Sequence, residues 1–197
     1  MTRPRFKGAL LDLGGVVYLG DSALPGAVDA VGRLRDAGVA VRFLTNTTRR
    51  PRRVLLERLA RIGLPAEPEE LFMPAIAARR YLADRGLTPR LLIHPNLEED
   101  FADLPAGDKP ALVVGDAADG FTYAALNDAF RTLEERDAVF LALARNRSFR
   151  NDDGRMSLDT GAFVAALEYA TGREATVLGK PSADFFAGAL ASLGCAP

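Results

Sequence analysis

Three short polar clusters, Asp12 with Gly14-Gly15, Thr45-Asn46, and Lys180, each follow an apolar run that reads as a β-strand. Their chemistry is complementary. A carboxylate can attack phosphorus, hydroxyl and amide groups can hold phosphate oxygens, and an ammonium can neutralise the charge of a transferring phosphoryl group. In an open parallel α/β sheet, ligands bind in the crevice outside the carboxyl ends of the strands. The three clusters are therefore expected to end parallel strands of one sheet and to converge on one phosphate-sized space. Taken singly, each has a plainer account: an Asp at a strand end is often a turn former, Thr-Asn is a common loop pair, and a lone Lys is usually solvated. Gly179-Lys180-Pro181-Ser182 is not a nucleotide-type phosphate loop, because Glu174 stands at the first glycine position and Pro181 replaces Ser or Thr.

The segments that must position these residues alternate in type. Ala9 to Leu13 is a buried-strand run closed by Gly14-Gly15. Ala27, Val28, Val31 and Leu34 recur at helical spacing until Gly38, and Val39 to Leu44 makes a second strand. Pro51 opens a helix whose apolar positions Val54, Leu55, Leu59 and Ile62 precede Gly63. Strand, helix, strand, helix is the rhythm of a parallel sheet with crossover helices. A helix around Ile76 to Leu82 leads to a second α/β stretch: strand Leu91 to His94, strand Ala111 to Gly115, helix Tyr123 to Leu133 and strand Val139 to Ala144. Asn151-Asp152-Asp153-Gly154 reads as a turn before helix Phe163 to Ala170. Strand Ala175 to Leu178 then leads to Lys180, and Ser182 can cap a last helix through Leu193.

Bulk properties exclude several classes. At 197 residues, 48% hydrophobic and 26% charged with a net charge of −1, the chain is composed like a folded globular protein, with no one-signed field for nucleic acid. One cysteine, Cys195, and one histidine, His94, cannot form a disulfide framework or a Cys/His zinc site, so any catalytic metal would take oxygen ligands. No apolar stretch approaches the length of a membrane span, and Asp12 interrupts the first apolar run, so a cytoplasmic location is the expectation.

Read together, Leu10-Leu11-Asp12-Leu13-Gly14-Gly15-Val16, Phe43-Leu44-Thr45-Asn46-Thr47-Thr48 and Val177-Leu178-Gly179-Lys180-Pro181 resemble the first three motifs of the haloacid dehalogenase superfamily. The long intervening segment resembles the inserted α/β cap of its NagD-like branch. The resemblance implies an α/β fold with a Rossmann-like parallel-sheet core over residues 1–73 and 172–197 and a cap over 74–171. It also implies a Mg²⁺-dependent phosphohydrolase of small phosphorylated compounds, in which Asp12 is the nucleophile and becomes an aspartyl-phosphate that water hydrolyses. Asp12 and the Gly14 carbonyl would hold Mg²⁺. Asp12, Leu13, Gly14, Thr45, Asn46 and Lys180 would surround the phosphate, with Lys180 balancing the charge near Asp12.

Two departures from that pattern shape the expectations. Most phosphatases of the superfamily carry a second Asp two residues after the nucleophile as general acid and base, and here that position is Gly14. Such assistance contributes about 10²–10⁴-fold, so alkyl phosphates should suffer more than phosphoramidates, pyrophosphate or aryl phosphates. The fourth motif, a Gly-Asp-Asp-like strand end that completes the metal site, has no counterpart before Pro197. On that reading the strand bearing Asp12 becomes a sheet edge, Mg²⁺ is loosely held, and the chain is expected to form a homo-oligomer or be poorly stable, with little activity. The alternative is a non-catalytic phosphate-binding or scaffold protein with the same fold. Arg49, Arg50, Arg52 and Arg53 read as a solvated first helical turn in preference to an anion attractor, while Arg145, Asn146 and Arg147 are placed where a cap would read a leaving group. His94 reads as structural.

Overall fold

In the computed structural model, which describes residues 6–135, 137–150 and 153–194, the apolar runs form strands and the amphipathic runs form helices. The chain runs through β1 (Gly8–Asp12), β2 (Tyr18–Leu19), β3 (Ser22–Ala23), α1 (Ala27–Asp36), β4 (Ala40–Leu44), α2 (Arg52–Arg61), β5 (Leu71–Phe72) and α3 (Pro74–Asp84). It continues through β6 (Leu87–Leu92), β7 (Lys109–Val114), α4 (Tyr123–Glu135), β8 (Val139–Ala142), β9 (Ser148–Arg150), β10 (Met156–Leu158), α5 (Thr160–Thr171), β11 (Thr176–Val177) and α6 (Ala183–Ser192). Two compact units result. One comprises Met1–Thr45, Arg52–Met73 and Ala183–Pro197, and the other Asn46–Pro51 and Pro74–Ser182. Among the described residues, no helix is long and apolar enough to cross a membrane.

The first unit is a three-stranded parallel sheet in the order β1-β4-β5, with Gly8 to Asp12 registered against Ala40 to Leu44 and Phe43 against Leu71. Helix α1 suits its dipole, with Asp29 in the first turn and Arg33 and Arg35 in the last, and Gly38 ends it in the left-handed region (φ 75°). Helix α6 buries Phe185 completely and sets it edge-on to Phe72 of β5, ring centroids 5.0 Å apart. Gly188 lets the helix approach, since a Cβ there would lie 2.9 Å from Phe72 Cζ. The Arg42 guanidinium on β4 donates from Nε to Ser192 Oγ at 2.9 Å and from Nη2 to the Ser192 carbonyl at 2.5 Å, tying α6 to the sheet. Buried Arg58 on α2 holds the β2–β3 hairpin: its guanidinium lies 4.3 Å from the Tyr18 ring centroid, donates to the Gly20 carbonyl and pairs with Asp21.

The second unit is built on a four-stranded parallel sheet in the order β11-β8-β7-β6. Leu112, Val114, Phe140, Ala142, Val164 and Leu167 form much of its core against α4 and α5. Phe121 and Phe163 stack nearly parallel at 3.7 Å. Strand β6 begins at Leu87, well before the expected Leu91, and passes through Pro89. It lies at the end of the sheet order, where a missing N–H is tolerated. His94 stands beyond that strand and its Nδ1 accepts from the Asn96 amide at 3.2 Å. The turn expected at Asn151–Gly154 falls between the paired strands β9 and β10 in sequence, and Asn151 and Asp152, like Cys195 and Pro197, lie outside the described residues.

One topological expectation is corrected. The strand that precedes Lys180 does not join the sheet that carries Asp12. Strand β11 pairs in parallel with Leu141 and Ala142 of β8, and the Leu178 amide donates to the Ala142 carbonyl at 2.8 Å. Two residues of strand carry too little pattern to choose a neighbour, and β8 supplies the free backbone groups.

Candidate active site

Asp12 is the last residue of β1 and is exposed, because the parallel register carries it to the carboxyl end of the sheet beside Leu44. Leu13, immediately after it, is wholly buried and anchors the turn. Its amide is shared between the Leu44 carbonyl (3.1 Å) and Asp12 Oδ1 (3.0 Å), and its carbonyl accepts from the amides of Val16, Val17 and Tyr18. Gly15 takes a left-handed φ of 77°, which glycine adopts without strain. The result is a tight loop that presents the Asp12 carboxylate and the Gly14 carbonyl. Among the described residues nothing donates a hydrogen bond to that carbonyl, whereas the adjacent Gly15 amide is used by the Tyr18 carbonyl at 2.8 Å. A hard carboxylate and an unengaged carbonyl in one turn suit Mg²⁺, which typically takes one or two carboxylates and completes its shell with water and substrate phosphate oxygens.

Thr45 follows β4 in the same unit, mostly buried, with its amide donating to the Phe72 carbonyl at 3.2 Å. Asp12 and Thr45 thus end neighbouring parallel strands, as the sequence implies.

In the second unit, Asn46 and Lys180 are joined although they lie 134 positions apart. Asn46 Nδ2 donates to the Lys180 carbonyl at 2.9 Å, and Asn46 Oδ1 accepts from the Lys180 amide at 2.7 Å. One side-chain amide thereby replaces a strand neighbour for Lys180. The preceding Gly179 makes this possible: a Cβ there would lie 2.3 Å from the Leu143 carbonyl oxygen and 3.1 Å from Asn46 Oδ1. Gly179→Ala should therefore destabilise the protein by about 1–3 kcal/mol through overpacking against immobile backbone. At Gly14, where a Cβ meets nothing within 4 Å, the same substitution should change stability by no more than about 0.5 kcal/mol. Thermal or urea unfolding of the two variants checks the contrast.

The arginines after Asn46 are not all in the helix. Helix α2 starts at Arg52, and Arg49 lies before it in the second unit. Its guanidinium donates to Asp116 through Nε (2.5 Å) and Nη2 (3.2 Å) and lies 5.1 Å from the Phe149 ring centroid. Asn46, Thr48, Arg49, Asp116, Asn146 and Phe149 line a cavity of about 260 Å³. Of the triplet expected to read a leaving group, Asn146 lines this cavity, whereas Arg145 pairs with Glu168 at 2.7 Å. Asp116 was missed by sequence reasoning, yet it carries a signal like that of Asp12: an acid at the carboxyl end of a parallel strand, here two residues beyond β7.

The comparisons agree with this architecture. Residues 9–119 match the model of the family described as haloacid dehalogenase-like hydrolase. The chain is 42% identical over 191 residues to rat haloacid dehalogenase-like hydrolase domain-containing protein 2, covering 97% of this chain and 73% of that protein. It is 40% identical over 197 residues to phospholysine phosphohistidine inorganic pyrophosphate phosphatase of Xenopus laevis, with 97% and 73% covered. The solved structure of p-nitrophenyl phosphatase from Archaeoglobus fulgidus superposes with a TM-score of 0.86 at 28% identity, over 98% of this chain and 76% of that one. The parallel α/β fold and these likenesses place the chain among the hydrolases, and it belongs to the haloacid dehalogenase-like hydrolase family.

Proposed function

We propose that the protein is a Mg²⁺-dependent phosphohydrolase of small phosphorylated compounds that works through an aspartyl-phosphate on Asp12. The observation that carries the reading is the turn after β1, which offers an exposed carboxylate and a Gly14 carbonyl that receives no hydrogen bond among the described residues, in a family whose named relatives include phosphatases. In this mechanism an Asp12 oxygen attacks phosphorus and the bond from phosphorus to the leaving group breaks. Water then attacks the same phosphorus, releasing inorganic phosphate and regenerating Asp12. Asp12 and Gly14 would hold Mg²⁺, which supplies charge neutralisation for the approaching phosphate. Asp12, Leu13 and Gly14 form the loop around the phosphate, with Thr45 and Asn46 donating to its oxygens and Lys180 offsetting the remaining charge. Residues 74–171 act as the cap that selects the leaving group. Position 14 provides no proton, so aryl phosphates, pyrophosphate and phosphoramidates are the favoured substrates.

The reading of a non-catalytic phosphate-binding or scaffold protein rests on the same Gly14, and one assay separates the two. Hydrolysis of para-nitrophenyl phosphate should require Mg²⁺, disappear with a chelator and return when Mg²⁺ is restored. Hydrolysis that ignores the chelator would sink the metal assignment, and no hydrolysis at saturating Mg²⁺ would favour the binding protein.

A further inference from the structure

The cavity beside Asn46 is lined by two arginines and two aspartates, and both arginines carry donors that find no acceptor among the described residues. Asp116, with its side chain only 11% exposed, is fully engaged: Oδ2 accepts from Arg49 Nε, and Oδ1 accepts from Arg49 Nη2 and from the Ala118 amide at 3.0 Å. Asp159 is buried, sits at the N-terminus of α5 and accepts from the Thr160 amide at 2.7 Å, so its charge faces the helix dipole. Arg49 retains its Nη1 edge, which finds no acceptor among the described residues. Arg50 likewise has no partner among them. A guanidinium clamped on two nitrogens by a nearly buried carboxylate, with one face toward the Phe149 ring, is held in orientation at no entropic cost to the next ligand.

We propose that Arg49, oriented by Asp116 and assisted by Arg50, forms a second anion subsite that selects phosphorylated substrates whose leaving group carries a carboxylate or a further phosphate. The inference rests on the phosphohydrolase reading above, in which Asn46 on the wall of the same cavity contacts the transferred phosphate. A cationic leaving group would meet two arginines, with Asp116 already spent on Arg49 and Asp159 facing the positive end of the α5 dipole. An anionic one supplies the acceptors that Arg49 and Arg50 lack. Arg49 acts here in binding and selection and takes no part in bond making.

The test is equilibrium binding by calorimetry at constant Mg²⁺, with methylphosphonate as the single-anion probe and phosphonoacetate and 3-phosphonopropionate as two-anion probes. The better two-anion probe should bind at least about tenfold tighter than methylphosphonate, as a charge-assisted hydrogen bond warrants. Arg49→Met should bring that ratio close to one, and Arg49→Lys should retain part of it. Asp116→Asn, which keeps the arginine but loosens its clamp, should give an intermediate ratio and serves if Arg49→Met does not fold. Equal binding of the probes, absence of binding by all of them, or a ratio unchanged in Arg49→Met overturns the proposal. Failure of the phosphohydrolase reading shows separately, as absence of Asp12-dependent turnover of para-nitrophenyl phosphate while the binding ratio stands.

Discussion

Replacing Asp12 with Asn is expected to lower hydrolysis of para-nitrophenyl phosphate by on the order of 10³-fold or more, because the amide is neither a nucleophile toward phosphorus nor an anionic ligand for Mg²⁺. The substitution preserves shape at the end of β1, and an Asn Oδ1 can still accept from the Leu13 amide as Asp12 Oδ1 does at 3.0 Å. A thermal melt run beside the assay separates lost chemistry from lost fold. Turnover within tenfold of the unaltered protein would remove Asp12 from the mechanism.

Introducing a carboxyl group two residues further on should have the opposite sign. Gly14→Asp meets no steric obstacle, since an added Cβ has nothing within 4 Å and, unlike Gly15, Gly14 does not lie in the left-handed region. A carboxyl group at this exposed position of the same turn as Asp12 is expected to protonate the departing oxygen and then to deprotonate water, if Asp12 is the nucleophile proposed above. Hydrolysis of an alkyl phosphate should rise about 10²-fold, the lower end of the range for a positioned general acid, while an aryl phosphate with its easier leaving group should gain far less. The readout is the ratio of the two kcat/KM values before and after substitution. An equal change for both would remove the argument that Gly14 limits protonation of the leaving group.

Legibility in the sequence tracked how local each signal was. The run ending at Asp12 and the run ending at Thr45 were readable because continuous apolar residues stop abruptly at polar ones, and both are parallel strands with those residues at their carboxyl ends. The helices α1, α4 and α5 were readable from apolar spacing, with errors confined to a few terminal residues. The β9–β10 hairpin was only half readable: the turn-forming residues Asn151 to Gly154 stood out, but its strands are three residues each, too short to show alternation. Strand β11 could be seen but its partner could not, and the placement of Lys180 follows from that partner together with Asn46. Long-range polar pairs were invisible for the same reason. Arg49 and Asp116 are 67 positions apart, so Arg49 read as one more solvated arginine until its carboxylate partner was located. Strand-end position remains the most informative local cue, since it marked Asp12 and Thr45 and, applied to β7, would have marked Asp116 as well.

The most direct test of the central claim is to trap the covalent intermediate. The protein is mixed with ³²P-labelled substrate and Mg²⁺, quenched in acid within the first turnover, reduced with borohydride and mapped by mass spectrometry. Acid-stable, hydroxylamine-labile label on the protein, with the reduction product at Asp12, is the predicted result. Turnover that proceeds with no protein-bound phosphate, or with label and reduction product at another residue, would contradict an aspartyl-phosphate at Asp12.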